Sequence, residues 1–188
     1  MDLDGLERFK KDPPPAKPAW TLRNPDPTGD GLIYAVDQSI RASGWSAIGI
    51  RAGDFRVHEV GMARTVKQGE SHADTLRAGE VLFQEFYRLL GQRAYTLVAH
   101  ESPIQAKGRM KLRAKPELGL VAATALRCAA QAHGIRVVMI DARTVKNRLT
   151  GNPDADKAEV RQGLDNLFPY LASMKPCNEN TYDSVGVG

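Results

Sequence analysis

An apolar run that stops at a carboxylate constrains this chain more than any other feature. The run Leu32-Ile33-Tyr34-Ala35-Val36 follows Gly29 and Gly31 and ends at Asp37-Gln38-Ser39. A short apolar run that contains β-formers and begins after turn residues predicts a buried strand. Runs at residues 44–50 and about 55–60 predict two antiparallel neighbours that would place Asp37 at a sheet edge. Taken alone, Asp37 fits a turn cap as well as a site carboxylate.

A fourth predicted strand, residues 95–101, repeats this pattern and ends at Glu101, before Ser102-Pro103. If it lies parallel to the first strand, Asp37 and Glu101 meet at the carboxyl end of the sheet, where open α/β sheets bind ligands. His100 points to the opposite face, because strand side chains alternate. We interpret it as a packed or hydrogen-bonded histidine rather than a ligand.

Helices are predicted between and after the strands. Ser71 and Asp74 form a capping box for a helix over about 71–90. A second helix runs from Pro116 to about 133, and its alanines predict buried packing, with a dimer surface as the alternative. A fifth strand ends at Asp141, and helices follow at 142–149, after Asp156 and from about 178. The apolar stripe of the first helix is assigned to the core: Leu76, Leu82, Phe83, Phe86, Leu89 and Leu90.

Composition narrows the class of protein. Of the 188 residues, 42% are hydrophobic and 26% are charged, as is ordinary for a soluble domain. With no signal pattern and no apolar run near the roughly 20 residues of a bilayer span, we expect a cytoplasmic protein, in a bacterium or a phage-infected cell, with no membrane partner. Two cysteines do not suggest a disulfide framework or zinc site. Cys128 is expected in the core.

The prolines divide the chain. Six of the eleven fall before residue 30, which predicts a Pro-rich N-terminal arm over residues 1–29 and one domain over 30–188.

The positive charge is concentrated in one stretch. The net charge is +4, and the pI of about 9.1 suggests a polyanionic partner. In residues 107–115, every second residue is a lysine or arginine and none is acidic. In an extended loop these five side chains would all point to the same side. A loop that faces DNA phosphates is the functional interpretation, and a solvated surface loop is the alternative. The cations are Lys107, Arg109, Lys111, Arg113 and Lys115.

The order of these elements, with acids closing the first and fourth strands and another on the last helix, resembles the ribonuclease-H-like superfamily. Within it, residues 31–188 are most similar to the RuvC-type Holliday-junction resolvases. The resemblance implies an α/β fold with a mixed five-stranded sheet flanked by helices. It is carried by Ala35-Val36-Asp37-Gln38-Ser39 with Gly44-Trp45, by Val98-Ala99-His100-Glu101, by Val145-Lys146 with Asp156-Lys157, and by Asp183-Ser184-Val185-Gly186.

The resemblance also implies a chemistry. Asp37, Glu101 and Asp183 would hold two Mg²⁺ or Mn²⁺ ions, with Asp37 bridging them, because hard divalent cations need oxygen ligands. Lys146 and Lys157, eleven residues apart, match the family's pair of functional lysines and would contact phosphate. Ordinary solvent-facing lysines are the alternative. The substrate would be branched DNA, a four-way junction, cut by paired nicks in a homodimer.

Two positions depart from the family pattern. Asn180 stands where the family has an acid or histidine three residues before the last aspartate. It is a candidate metal ligand, but an amide carries no charge, so we expect one metal site to be weakened. A natural amide and a substitution that captures uncleaved substrate both remain open. Ile104 stands where relatives have an aromatic wedge, and it cannot stack as well.

Three other functions stay open at this point. A non-catalytic branched-DNA binding protein on the same fold is favoured by Asn180. Another ribonuclease-H-like nuclease, such as one that cuts RNA in hybrids, shares the same acids. An actin-like ATPase is disfavoured, because Asp37-Gln38-Ser39 lacks the glycine of a phosphate loop.

Overall fold

The strand that ends in Asp37 lies at the centre of a five-stranded sheet. This computed structural model describes residues 30–65, 71–102, 116–175 and 178–188. The order across the sheet is β3-β2-β1-β4-β5, antiparallel from β1 to β2 and β3 and parallel from β1 to β4 and β5. The predicted mixed sheet is confirmed. The strands are β1 (Gly31–Asp37), β2 (Ala42–Arg51), β3 (Asp54–Arg64), β4 (Leu97–Glu101) and β5 (Arg136–Ile140).

Register brings the two strand-ending acids to the same edge. The parallel pairing of β1 with β4 sets Val36 opposite His100. The next residue of each strand is an acid, Asp37 on β1 and Glu101 on β4. The two strands are parallel, so the condition for the two acids to meet is fulfilled, and both leave the sheet at its carboxyl edge.

Five helices accompany the sheet, and their caps explain where they begin. A capping box of Ser71 and Asp74 opens the first helix, and another of Asp156 and Glu159 opens the fourth, as predicted for both N-caps. Asn178 caps the last helix through the backbone N–H of Thr181. The helices are α1 (His72–Gly91), α2 (Pro116–Ala132), α3 (Ala142–Thr150), α4 (Lys157–Leu167) and α5 (Glu179–Val187), and a 3₁₀ turn lies at Leu171–Ser173.

Helices α1 and α2 cover one face of the sheet. Phe86 of α1 and Leu126 of α2 pack there with Tyr34 and Val36 of β1. All five alanines of the α2 stripe are buried within the chain, which confirms the packing interpretation of this helix. They are Ala122, Ala123, Ala125, Ala129 and Ala130.

Helix α5 covers the other face. Its Tyr182, Val185 and Val187 pack against β1 and β2, where Ile33 and Ile48 are buried. Ser184 and Thr181 of α5 are also buried, so most of this short helix is inside the protein. The helix that carries Asp183 is consequently also the main cover of this half of the core.

Two predictions about the core are wrong. Leu76 is 69% exposed, because it lies about 120° around α1 from the buried Leu82. Cys128 is exposed, because the buried alanines of α2 fix which side of the helix faces the core, and Cys128 lies on the opposite side. In the described segments, no helix is long and apolar enough to span a bilayer.

Candidate active site

Acidic side chains from four places in the chain surround one cleft at the carboxyl edge of the sheet. Asp37 ends β1 and Glu101 ends β4, while Asp183 comes from the middle of α5. Asp141 follows β5 directly and caps α3, where its carboxylate accepts a hydrogen bond from the backbone N–H of Arg143 over 2.9 Å. All four acids line a cleft of about 600 Å³.

Three of these carboxyl groups have a raised pKa. Burial, followed by the charges of Asp183 and Glu101, raises the pKa of Asp37 to about 7. Burial, with Asp183 and Asp141, raises the pKa of Glu101, and burial raises the pKa of Asp183. A cluster with these shifts holds negative charge at a cost, so binding of a cation in the cleft is favoured.

The donor set fits a hard divalent cation in kind, because carboxylate oxygens are the ligands that Mg²⁺ and Mn²⁺ prefer. In the arrangement seen here, however, no three His, Cys, Asp or Glu side chains in the described segments converge closely enough to hold one ion. Asp37, Glu101 and Asp183 share a cleft, and their side chains would have to turn toward a common point to coordinate a metal.

Asn180 lines the same cleft, one turn before Asp183, and its amide is tied to the sheet. Its Nδ2 donates a hydrogen bond to the carbonyl oxygen of Ala42 over 3.1 Å. Since the nitrogen faces β2, the amide oxygen is the end that remains for a ligand. Helix α5 approaches β2 so closely here that a Cβ added at Gly44 would collide with the backbone of Asn180.

The two predicted lysines also line the cleft. The ammonium of Lys146 donates to the carbonyl oxygen of Ala155 over 2.7 Å. Lys157 forms an ion pair with Glu179, at the start of α5, and both side chains are mostly exposed. The charge of Lys157 lowers the pKa of Asp37, Glu101 and Asp183, opposing the effect of burial. Both lysines therefore lie close enough to the acids for their charges to lower carboxyl pKa values in the cleft.

The backbone around Glu101 forms hydrogen bonds with residues of both neighbouring strands, β1 and β5, or directly after them. Its carbonyl oxygen accepts from Nε2 of Gln38 over 2.5 Å and lies 2.8 Å from Nδ1 of His100. On the other side, the next backbone N–H, that of Ser102, donates to Ile140 over 2.9 Å. His100 is fully buried, which agrees with its predicted role as a hydrogen-bonded histidine. Because its Nδ1 faces a carbonyl, Nδ1 carries the proton.

Comparison with known proteins identifies the architecture. The sequence matches no protein-family model and no curated protein. A solved RuvC from Thermus thermophilus superimposes with a TM-score of 0.66 at 18% identity, over 83% of this chain and 90% of that one. The chain has the RuvC-type fold.

Two further structures share it. Thermus thermophilus RuvC in complex with a Holliday junction substrate gives a TM-score of 0.65 at 18% identity, over 84% of this chain and 90% of that one. The yeast mitochondrial Holliday junction resolvase Ydc2 gives 0.55 at 10% identity, over 82% of this chain and 75% of that one. At such identities the likeness concerns the RuvC-type fold, and function must be argued from the residues of this chain.

On the RuvC-type fold of this chain, all six predicted metal and catalytic residues reach one cleft. They are Asp37, Glu101, Asp183, Asn180, Lys146 and Lys157. The predicted DNA-contacting cations Lys107, Arg109, Lys111 and Arg113 lie outside the described residues, as do Ile104 and the arm over residues 1–29. For those segments the interpretations stay predictions.

Sequence reasoning missed two acids and one arginine of the cleft. Asp141 repeats the pattern of Asp37 and Glu101, an acid directly after a strand, and that repetition could have placed it at this edge. Arg143 and Asp154 also line the cleft and form a salt bridge of 3.2 Å. They lie eleven residues apart on separate segments, and nothing in the sequence pattern indicates that they meet.

Proposed function

We propose that the protein is a metal-dependent endonuclease that resolves four-way (Holliday) DNA junctions by paired, symmetric nicks. One observation carries the proposal. Asp37, Glu101 and Asp183 come from three separate elements, yet they line one cleft together with Lys146 and Lys157. The RuvC-type fold supports it further, since one solved structure with this fold is a complex with a Holliday junction substrate.

The acids have a defined part in this proposal. Asp37, Glu101 and Asp183, with the amide oxygen of Asn180, would hold the Mg²⁺ or Mn²⁺ ions, because hard divalent cations take oxygen ligands. When bound, such ions supply an activated water and a stabilised leaving oxygen for phosphodiester hydrolysis. Burial, together with repulsion from Asp183 and Glu101, raises the pKa of Asp37, and the same two effects favour uptake of the cations.

The lysines hold the phosphate in place. The hydrogen bond that Lys146 donates to the carbonyl oxygen of Ala155 holds the lysine ammonium at the cleft. Lys157 exchanges Glu179 for a DNA phosphate, and this exchange costs little, because an exposed ion pair contributes less than about 1 kcal/mol.

Paired nicks need two clefts. We therefore include in the proposal a two-fold homodimer, in which each subunit cuts one of two symmetric strands. The alternating cations Lys107, Arg109, Lys111 and Arg113 follow Glu101 in the chain and would contact the phosphates of the junction arms.

A labelled four-way junction incubated with the protein and Mg²⁺ or Mn²⁺ tests the activity. We expect symmetric nicks, with little cleavage of linear duplex or of an RNA–DNA hybrid. Asp183→Asn should lower the rate by more than the about 10- to 100-fold lost when an outer-shell contact is removed. Asp54→Asn, at an exposed position at the start of β3, is the matched control and should cut normally.

The result that contradicts the proposal is specific. If neither the natural chain nor Asn180→Asp nicks the junction with either metal, while both remain folded, the protein is not this nuclease. Preferential cleavage of the hybrid would instead assign it to another ribonuclease-H-like activity.

A non-catalytic branched-DNA binding protein is the second candidate. One observation favours it: Asn180 lines the cleft and brings no charge to it. Junction binding without cleavage by both the natural chain and Asn180→Asp would select this function.

A further inference from the structure

A second concave surface adjoins the cleft on the outer side of α3. We define the α3 groove by its lining residues and note that its volume is about 680 Å³. Arg143 and Pro153 line both the groove and the cleft, so the two surfaces are continuous. The lining residues are Arg143, Thr144, Asn147, Arg148, Gly151 and Pro153.

Helix α3 has two chemically different sides. Val145 and Leu149 contact the α5 side of the core, at Gly186, and Lys146 faces the cleft. The groove side carries only polar and basic residues, and α3 contains no acid from Ala142 to Thr150. The groove side of α3 offers an apolar partner little surface to bury. It offers a polyanion hydrogen-bond donors and positive charge.

The described residues that line the groove include no acid, and two acids contact its Arg143. Asp141 caps α3, and Asp154 pairs with Arg143 at 3.2 Å, both side chains being well exposed. Among the described residues, Arg148 forms no salt bridge. An exposed pair such as Arg143–Asp154 is weak, so a phosphate can replace the carboxylate. Arg148 is therefore the principal cation of the groove.

We infer that the α3 groove binds the backbone phosphates of the DNA arm that leaves the cleft. This inference rests on the proposed function, because continuity with the cleft is what selects DNA as the polyanion. Arg148 makes the main phosphate contact, and Thr144 and Asn147 donate hydrogen bonds to the same backbone. Such contacts fix the position of a DNA arm without reading its sequence.

Junction binding measured without divalent metal tests this surface separately from cleavage. The fluorescence anisotropy of a labelled four-way junction is followed at several salt concentrations. One phosphate contact contributes about 0.9 to the slope of log affinity against log salt, which amounts to about eightfold in affinity at 0.1 M salt. We expect Arg148→Gln to lose that much affinity and slope, and Arg148→Lys to retain the slope.

Two further variants make the result specific. Arg136→Gln removes one exposed arginine from the start of β5, at the opposite end of the strand, and should leave the slope unchanged. Asp154→Asn removes the carboxylate that competes for Arg143, so it should tighten binding.

The inference is overturned if Arg148→Gln and Arg136→Gln give the same affinity and salt slope while the natural chain binds the junction. Failure of the natural chain to bind four-way DNA at all would instead remove the proposed function. Because Arg148 is exposed, its variants should keep the circular dichroism melting curve of the natural chain, which verifies that they fold.

Discussion

The side-chain amide of Asn180 donates a hydrogen bond to the carbonyl oxygen of Ala42, a residue 138 positions away. This bond ties the first turn of α5 to β2, and α5 carries Asp183 into the cleft. An aspartate could not make it, because a carboxylate would present an acceptor to another acceptor. The amide of Asn180 therefore stabilises the docking of α5 on β2, a role that the sequence pattern alone does not suggest.

Asn180→Asp should therefore destabilise the metal-free protein. The variant leaves the carbonyl of Ala42 without its donor and adds a negative charge beside Asp183. Loss of a partly buried hydrogen-bond partner costs about 1–3 kcal/mol. For a chain of this size, each kcal/mol lowers the Tm by about 2–4 °C, which calorimetry in EDTA would measure.

Asn178→Asp is the matched control, since it makes the same chemical change two residues earlier. Asn178 acts as an acceptor, for the N–H of Thr181, and aspartate caps helices as well as asparagine does. Its Tm should be unchanged or slightly raised. Equal destabilisation by both variants would show that added charge, rather than the bond to Ala42, sets the stability.

The pH dependence of stability follows from Asp37. Its pKa in the folded protein is about 7, against an ordinary value of 3.8. Between these values the folded protein binds more protons than the unfolded chain, so the stability of the metal-free protein falls as the pH rises. Scanning calorimetry from pH 5 to pH 8 should show a declining Tm, flatter in Asp37→Asn than in Asp54→Asn.

Divalent metal should reverse this decline. Coordination needs ionised carboxylates, so Mg²⁺ should raise the Tm more at pH 8 than at pH 6. The same scans with and without Mg²⁺ measure the difference. A stabilisation that is independent of pH, or retained in Asp37→Asn, would place the bound cation elsewhere.

The contact of His100 with the backbone of Glu101 predicts an effect on metal affinity. His100→Leu removes one of the two donors to the Glu101 carbonyl, whereas His100→Asn keeps an amide nitrogen near the position of Nδ1. Loss of an outer-shell contact typically weakens metal binding by about 10- to 100-fold. Titration calorimetry with Mn²⁺ should show this loss for leucine and recovery for asparagine.

The close approach of α5 to β2 requires a glycine at position 44. Gly44→Ala places a methyl group against the backbone of Asn180, and overpacking of this kind costs about 1–3 kcal/mol. Urea unfolding measures the loss. Gly53→Asn is the control, because Gly53 has a φ of +86° and open space around it, a position that asparagine tolerates. Equal midpoints for the two variants would mean that α5 shifts without cost.

Local patterns predicted most of the fold. The strands that end in Asp37 and Glu101 and the caps at Ser71 and Asp156 follow from apolar period and capping chemistry, which act over a few residues. The exposure of Leu76 was not predicted, because its apolar side chain suggested the core although it lies about 120° around α1 from the buried Leu82.

The cleft was predictable in part. An acid that directly follows an apolar run indicates the carboxyl edge of a sheet. This rule correctly predicted the position of Asp37 and Glu101, and it could also have predicted that of Asp141. The bond from Asn180 to Ala42 and the salt bridge between Arg143 and Asp154 join segments that only the tertiary fold brings together. Sequence spacing contains no information about such pairs, so they had to be observed.

Helix α5 both seals one half of the core, through Tyr182 and Val185, and delivers Asp183. During synthesis it is the last of the described elements to leave the ribosome. Without α5, the face of the sheet that this helix covers keeps Leu164 and Leu171 but lacks Tyr182, Val185 and Val187, and the cleft lacks Asp183. Docking of α5 therefore completes both this half of the core and the set of acids in the cleft.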